Sequence, residues 1–421
     1  AARRDVARSA NIEALHHFDR ALDVLKDLPQ GPERNSLELE LLLARGAPLL
    51  SVKGYASEEM EHNYLRAKEL SQENSGSEHE FRAIWGLWVF RLVRGQLAKA
   101  RDLAENLLAL ATREQSSDLL IEAHRNLGTT YFYLGRFDEA KTHLLTAKSL
   151  YDPTQHRSHA ERYGQDPGIT SRIYLARTLW ILGEVEQVEP LALEAIGMAR
   201  ELEHPFTRVF TLCFLSWIYS TVRNANRTME LTDEAIALST QYGFELGLAW
   251  ATSFQGWALA EQGQEGGLGT LLCGISEFRA TGASINTTHT LALLAEIYLR
   301  HNRIDEGLSV IEEAQKFAAT WEELFWHAEL LRLKGELLLR QSDQSIPAAE
   351  QCLCEALMVA QYQHAHMLEL RAATSLARLW KTLNKVDEAT RILHSVCTKF
   401  NEGVDNLELT EAKTVLGQLR G

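Results

Sequence analysis

The residue types that do chemistry occur in this sequence without the spacing that chemistry needs. The glycine-rich stretch at residues 263–270 (GQEGGLGT) lacks the lysine of a phosphate-binding loop and carries a glutamate. Cys352 and Cys354 are two residues apart on a predicted helix, so their thiols diverge and cannot ligate one ion together. The sequence contains no zinc-protease motif and no serine-hydrolase elbow. It therefore predicts no catalytic residue, no metal and no cofactor in this chain.

A polar cluster at residues 151–168 is the first candidate for binding. Two prolines and two glycines interrupt the helical pattern there, so the segment is predicted to be a long loop. Its candidate binding residues are His156, Arg157, Arg162 and Asp166. The arginines suit an anion or an acidic helix of a partner, and the histidine adds a group that titrates near neutral pH. The alternative is an ordered insertion that only covers hydrophobic surface.

These candidates belong to a repeated helical unit. Between residues 127 and 147, small and large residues occur at the offsets of a tetratricopeptide unit, in which two helices approach closely. The frame recurs, with turn residues at 54, 95, 135, 183, 223, 263, 302, 342 and 384, so the period is about 40 residues with one longer interval. Glycine or asparagine fills most of these turns, as expected where a left-handed residue ends a helix. This pattern predicts an all-α, right-handed tetratricopeptide-like solenoid of antiparallel helix pairs. HEAT-type repeats have a similar period, but the small residues favour the tetratricopeptide class.

The repeats have predicted boundaries. Residues 1–32 are predicted to contain an N-terminal capping helix, and residues 403–421 a C-terminal capping helix. Residues 33–402 are predicted to form about nine helix pairs, interrupted by the loop at 151–168. Solenoids need such caps because an internal repeat leaves an apolar face for its neighbour.

An aromatic series is the second candidate for binding. In tetratricopeptide proteins the first helix of each pair lines the concave face through its second, fifth, ninth and twelfth positions. Trp217 and Trp257 occupy the ninth position in adjacent repeats, so we expect both to be partly exposed neighbours in a groove for a peptide or helix. The loop at 151–168 is expected to emerge near this groove. The alternative is that these side chains belong to the repeat core. The predicted groove residues are Trp85, Phe132, Arg177, Trp180, Phe210, Trp217, Trp250, Trp257 and Glu296.

Composition narrows the possible partners and the compartment. The formal net charge of −14 disfavours a nucleic-acid partner, which needs a basic face. The five cysteines are odd in number and scattered, which predicts reduced thiols and a cytoplasmic location. No apolar run is long enough to span a bilayer, so no membrane partner is expected. The sequence does not begin with methionine, and we expect it to continue from an upstream part of a longer protein.

Short strings along the whole chain carry a family resemblance. The chain resembles the C-terminal tetratricopeptide region of bacterial signalling proteins that place an adenylate/guanylate cyclase domain first and an AAA-type, STAND-like ATPase domain second. The string at 163–168 is the most specific, because a tetratricopeptide consensus alone does not produce it. The strings include KGYA at 53–56, WGLW at 85–88, YGQDPG at 163–168, GWALAEQGQ at 256–264 and LKGELL at 333–338.

The resemblance implies a regulatory sensor and interaction domain rather than an enzyme. Such a domain would bind a peptide, a protein or a small ligand in its concave groove and would signal to the ATPase domain of its own parent protein. ATPase and cyclase activity would belong to that parent, because their motifs have no counterpart here. Two other functional classes fit the sequence less well. A ligand-sensing region of an ATPase-type transcriptional activator should be followed by a helix-turn-helix, which residues 403–421 do not show. An enzyme would need a set of catalytic residues, which the sequence does not offer.

Overall fold

The computed structural model describes residues 11–74, 77–400 and 406–420, and every regular element in these ranges is helical. Two short 3₁₀ turns, Val185–Gln187 and Asp343–Ser345, precede α11 and α19. The α-helices are, in chain order, α1 (Asn11–Leu25), α2 (Pro32–Lys53), α3 (Glu58–Asn74), α4 (Ser77–Val93), α5 (Leu97–Glu114), α6 (Ser117–Tyr133), α7 (Phe137–Leu150), α8 (Pro153–His156), α9 (His159–Tyr163), α10 (Pro167–Ile181), α11 (Val188–Glu201), α12 (Pro205–Thr221), α13 (Ala225–Tyr242), α14 (Glu245–Glu261), α15 (Gly267–Ala280), α16 (Thr287–Arg300), α17 (Ile304–Trp321), α18 (His327–Gln341), α19 (Ile346–Tyr362), α20 (His366–Thr382), α21 (Val386–Cys397) and α22 (Leu407–Arg420).

Successive helices pack in antiparallel pairs, which confirms the predicted tetratricopeptide-like solenoid. The pairs are α2/α3, α4/α5, α6/α7, α10/α11, α12/α13, α14/α15, α16/α17, α18/α19 and α20/α21. Helix α1 packs against α2, and α22 packs against α20 and α21. The predicted end regions also include residues 1–10, 403–405 and 421, which lie outside the described residues. No helix within the described ranges is long and apolar enough to cross a membrane.

The turns within the pairs follow the sequence prediction closely. Eight of the nine predicted turn residues have positive φ, including the non-glycine residues Arg223, Asn302 and Asn384. This conformation ends the first helix and reverses the chain, and glycine adopts it without steric cost. Ser342 is the exception, with a φ of −170° at the end of α18.

The glycines around residues 256–270 have a packing role. A Cβ atom at Gly256 would lie 2.2 Å from the backbone nitrogen of Leu271, and one at Gly267 would lie 2.4 Å from that of Ala260. Helices α14 and α15 therefore approach through their backbones, and only glycine fits at these two positions. Within the glycine-rich stretch, this close approach accounts for Gly267, and the positive φ of Gly263 and Gly266 accounts for those two.

The chain also returns onto itself. The carbonyl oxygen of Val93 accepts backbone N–H bonds from Ser284 and Ile285 at 2.8 and 3.1 Å. The carbonyl oxygen of Tyr133, one repeat later, accepts bonds from Leu324 and Phe325 at 2.9 and 3.2 Å. The two contacts join residues 191 apart (93 to 284 and 133 to 324), so the early repeats (α2–α7) are covered by loops of the later repeats (α12–α21).

The segment at 151–168 is not the irregular loop that was predicted. It contains two short helices, α8 and α9, and it packs against the early repeats. The ring of Tyr163 lies 5.0 Å from that of Trp85, and Gln165 donates a hydrogen bond to the hydroxyl of Tyr55. The prolines were read as helix breakers, but Pro153 and Pro167 each occupy the first turn of a helix, where proline is well tolerated.

Candidate ligand-binding site

The predicted aromatic groove is largely filled. Trp217 and Trp257 are 0 % and 1 % exposed, so the expectation that they are partly exposed is wrong. The cause is the contact between early and later repeats: the ring of Trp217 packs against Trp326 at 5.6 Å and against Phe132 at 6.1 Å. Trp85, Phe132, Arg177, Trp180 and Trp250 are buried as well, whereas Phe210 and Glu296 are half-buried.

Arg177 lies at the centre of the filled region. Its guanidinium carbon is 4.2 Å from the ring centre of Trp217 and 4.3 Å from that of Phe132, and four further rings lie within 6 Å. It donates hydrogen bonds to Asn286 Oδ1 at 2.9 Å and to Tyr133 Oη at 3.3 Å. It forms no ion pair with any carboxylate of the described ranges. Arg177 is therefore held by aromatic faces and neutral acceptors, and it joins repeats that are far apart in sequence.

An apolar cavity that opens to solvent on one side remains between the early and the later repeats. Two predicted groove residues, Phe210 and Trp250, form part of its wall, and the insertion at 151–168 contributes Gln165. The lining is mainly aromatic and aliphatic, as in most small-molecule sites. It consists of Tyr55, Trp88, Val89, Leu92, Val93, Arg125, Thr129, Gln165, Tyr174, Phe206, Val209, Phe210, Cys213, Phe214, Leu246, Gly247, Trp250, Phe278 and Ile285.

One buried ion pair borders this cavity. The guanidinium of Arg125 donates two hydrogen bonds to one carboxylate oxygen of Glu122, at 2.8 and 3.0 Å. His159, from the insertion, contacts the other carboxylate oxygen at 2.9 Å. Burial alone would raise the pKa of Glu122, but the charge of Arg125 and the contact with His159 outweigh it, and the pKa is lowered. The charge of Arg125 is therefore neutralised within the wall.

The predicted loop residues have two different roles. His156 and Asp166 are buried, and Asp166 caps α10 by accepting a hydrogen bond from the N–H of Ile169 at 2.9 Å. Arg157 and Arg162 are half exposed and lie beside Glu201 and Glu78. The four residues therefore do not converge on one ligand. His159, a further histidine of the same sequence cluster, contacts the carboxylate of Glu122 at 2.9 Å.

The later repeats carry a charged cleft that is lined by residues of α16, α18, α20 and α22. Two of its arginines, Arg332 and Arg371, pair with the buried carboxylate of Glu329 at 2.8 and 3.4 Å. Burial would raise the pKa of Glu329, but these two arginines lower it to about 2. The predicted residue Glu296 belongs to this cleft, where it pairs with Arg223 at 2.9 Å.

Side-chain clusters for metal or redox chemistry are absent from the described part of the chain. No group of three or more His, Cys, Asp or Glu residues there could hold a metal ion. All five cysteines are free. Cys213 lines the apolar cavity, and its burial raises the pKa of the thiol to about 12, which keeps it protonated.

Comparisons with known proteins agree with this architecture. The tetratricopeptide repeat family model matches residues 89–152. An uncharacterised protein of Rhizobium meliloti (strain 1021) is 23% identical over 383 residues, which are 90% of this chain and 37% of that protein. The chain therefore spans well under half the length of the relative that it matches.

A solved structure shows the fold. A Rap protein complexed with competence and sporulation factor matches with a TM-score of 0.59 at 13% identity, covering 92% of this chain and 100% of that one. At this identity the likeness concerns the fold alone. A STAND protein with a tetratricopeptide repeat sensor, from Pyrococcus horikoshii, matches with a TM-score of 0.40 at 14% identity, covering 82% of this chain and 53% of that chain.

Proposed function

We propose that this chain is the sensor domain of a larger signalling protein, and that it binds its ligand in the apolar cavity between the early and the later repeats. One observation carries the proposal. Val93 and Ile285 both line the cavity, and the same two residues form a backbone hydrogen bond of 3.1 Å that joins the repeats. A ligand in the cavity would therefore contact both sides of the junction.

Binding at such a junction has a thermodynamic consequence. A ligand that binds the closed arrangement more tightly than an open one shifts the equilibrium towards closure. The shift would be transmitted along the solenoid, and in a longer parent it would reach the neighbouring domains. The relative from Rhizobium meliloti is much longer than its matched part, which supports a parent with further domains. We assign ATPase and cyclase activity, if the parent has them, to those domains.

The test is a ligand screen with a blocked cavity. Melting temperatures of the whole chain are measured with a library of short free-ended peptides and uncharged small molecules. Cys213→Phe places a ring into the cavity, and Cys273→Phe makes the same change at an exposed position of α15. We expect ligands that stabilise the wild type and Cys273→Phe but not Cys213→Phe, with a tight ligand adding about 3 kcal/mol at a hundredfold excess over Kd.

Two results would contradict the proposal. One is a library that contains no stabilising ligand, and the other is a set of ligands that stabilise Cys213→Phe as well as they stabilise the wild type. Circular dichroism shows whether Cys213→Phe is folded. If it is not, Cys213→Leu fills less of the cavity and replaces it in the same assay.

A second candidate function is protein binding at the charged cleft. Its rim pair, Arg378 and Glu411, is half exposed and lines the cleft, which suits a polar segment of a partner such as the parent's ATPase domain. In the full-length protein, Arg378→Glu should weaken this contact and change the ATPase rate. An unchanged rate would argue against the cleft as the contact.

A further inference from the structure

The cavity wall also defines the chemical class of its ligand, and this inference rests on the proposed function. The first constraint is charge. Arg125 is the one charged side chain in the described lining, and Glu122 neutralises it with two hydrogen bonds. A charged ligand would leave water without gaining an opposite charge, which is costly in an apolar site. The wall therefore favours an uncharged ligand.

The second constraint is hydrogen bonding. Trp250 and Thr129 line the cavity and are more than nine-tenths buried, and neither the indole Nε1 nor the hydroxyl Oγ1 has a partner among the described residues. An indole N–H can only donate, whereas a hydroxyl can donate or accept. A ligand that satisfies Trp250 must therefore present an acceptor. Thr129 can pair with a second polar group of either kind.

The third constraint is shape. The partly exposed side chains of the lining, among them Phe210, Leu246 and Phe278, mark one side of the cavity as its opening. Trp88, Tyr174 and Phe214 are buried on the other sides. A peptide that followed the concave face would collide with the filled region around Arg177. The enclosed space suits a compact molecule.

We infer that the cavity binds a small, uncharged, largely apolar molecule whose carbonyl-type acceptor meets the indole N–H of Trp250. Ketones, esters and amides with an aromatic or aliphatic body belong to this class. The aromatic walls would contact the body, because Phe214 and Trp250 lie edge to face at 4.4 Å and leave ring surfaces towards the cavity.

The test uses two fluorescent probes of similar aromatic size. Prodan is an uncharged dimethylaminonaphthalene ketone, and dimethylaminonaphthalenesulfonate carries a negative charge on the same ring system. Both are titrated into the whole chain and into Cys213→Phe, so that binding outside the cavity is subtracted. We expect cavity binding of prodan with a blue-shifted emission, and cavity binding of the sulfonate at least about tenfold weaker, because its charge finds no partner.

A pair of tryptophan variants tests the acceptor. Trp250→Phe removes the unpaired N–H of a side chain that lines the cavity, and Trp257→Phe removes an unpaired N–H of a buried side chain outside the lining. We expect the Kd of prodan to rise about tenfold in Trp250→Phe, which corresponds to one hydrogen bond, and to stay within about twofold in Trp257→Phe. If Trp250→Phe does not fold, Thr129→Val replaces it in the same assay. We expect the Kd of prodan to rise about threefold or more in Thr129→Val.

Each outcome separates this inference from the proposed function. Equal cavity affinities for the two probes, or a Kd for prodan that is unchanged in both Trp250→Phe and Thr129→Val, would overturn the ligand class. If prodan does not bind in the cavity, but other ligands of the library bind the wild type and not Cys213→Phe, the ligand class is overturned and the sensor proposal stands. If neither prodan nor any library ligand binds in the cavity of the wild type, both are overturned.

Discussion

Two regions of the interior hold buried arginines by different means. In the filled region, Arg177 is surrounded by aromatic rings and is bonded to Tyr133 and Asn286. In the cleft of the later repeats, Arg332 and Arg371 share the carboxylate of Glu329. The first arrangement excludes water and charge, and it continues into an apolar cavity. The second balances charge with charge and stays open to solvent at its rim.

The difference shows how one repeat frame produces two kinds of site. The same position of the first helix carries Arg177 and Trp217 in the filled region and Glu296 in the charged cleft. Burial by a distant part of the chain, rather than the repeat itself, therefore separates the ligand cavity from the charged cleft. The predictions below test that separation.

The largest effect should come from the filled region. Trp217→Ala removes a fully buried indole and should lower the free energy of unfolding by about 4 kcal/mol, because the cavity it leaves cannot collapse easily. Tyr362→Ala, at a side chain that is 89 % exposed, should change it by less than about 0.5 kcal/mol. Urea unfolding of both variants measures the contrast. A small loss for Trp217→Ala would mean that its surroundings are not packed as described.

Replacing one arginine in each region compares their environments directly. Arg332→Met leaves the carboxylate of Glu329 with Arg371 as its remaining partner, and we expect a loss of about 3–5 kcal/mol. Arg177→Met leaves Asn286 Oδ1 without its donor, whereas Tyr133 keeps its hydrogen bonds to Asn286 and Tyr174 and the apolar contacts remain, so we expect about 1–3 kcal/mol. If urea unfolding shows that Arg332→Met and Arg177→Met lose the same free energy of unfolding, the ion-pair network and the aromatic surroundings do not differ as described.

A buried carboxylate next to the filled region should make stability pH-dependent. Burial raises the pKa of Glu323 from 4.5 to about 7, even though it accepts hydrogen bonds from Thr288 and Asn286. The folded state thus holds this proton more tightly than the unfolded state. The stability from this group is fully present below pH 4.5 and is lost as the pH rises to about 7. Its size is on the order of 3 kcal/mol.

The two carboxylates should respond in opposite directions. Glu323→Gln should flatten the pH dependence of urea unfolding between about pH 5 and pH 8, whatever its absolute stability. The stability that Glu329 contributes is present above pH 4.5 and is lost as the pH falls towards about 2. Glu329→Gln should therefore lower the stability above pH 4.5 and flatten the pH dependence between about pH 4.5 and pH 2. If the stability of Glu323→Gln still depends on pH near neutrality, another titrating group must cause that dependence.

The smallest effect is expected at the rim of the cleft. Arg378 and Glu411 form an ion pair in which both side chains are about half exposed. Arg378→Ala should therefore cost less than about 1 kcal/mol, and raising the salt concentration should reduce even that. A loss comparable to that of Arg332→Met would mean that the rim is as enclosed as the surroundings of Glu329.

The sequence alone could predict the local part of this structure. The period, the helix pairs and the positive φ of residues such as Gly135 and Asn302 follow from short-range spacing and from the stereochemistry of turns. Burial of Trp217 and Trp257 could not be predicted in this way. It depends on contacts between residues 191 apart, such as Tyr133 with Leu324, which no repeat consensus encodes.

The candidate site shows the same limit. Phe210 and Trp250 were predicted to bind, and both line the cavity, but Arg125, Thr129 and Cys213 were not singled out. Their residue types are ordinary for a helix core. They become parts of one wall only because the early and later repeats meet there.

The most direct test of this account is hydrogen exchange at the junction between the repeats. The N–H groups of Ser284, Ile285, Leu324 and Phe325 lie in loops, yet each donates to a carbonyl oxygen of Val93 or Tyr133. Exchange measured by mass spectrometry in the whole chain should show these loops protected far longer than ordinary loops, and as long as the flanking helices. Exchange as fast as in free loops would mean that the repeats do not close on each other, and the cavity between them would not exist.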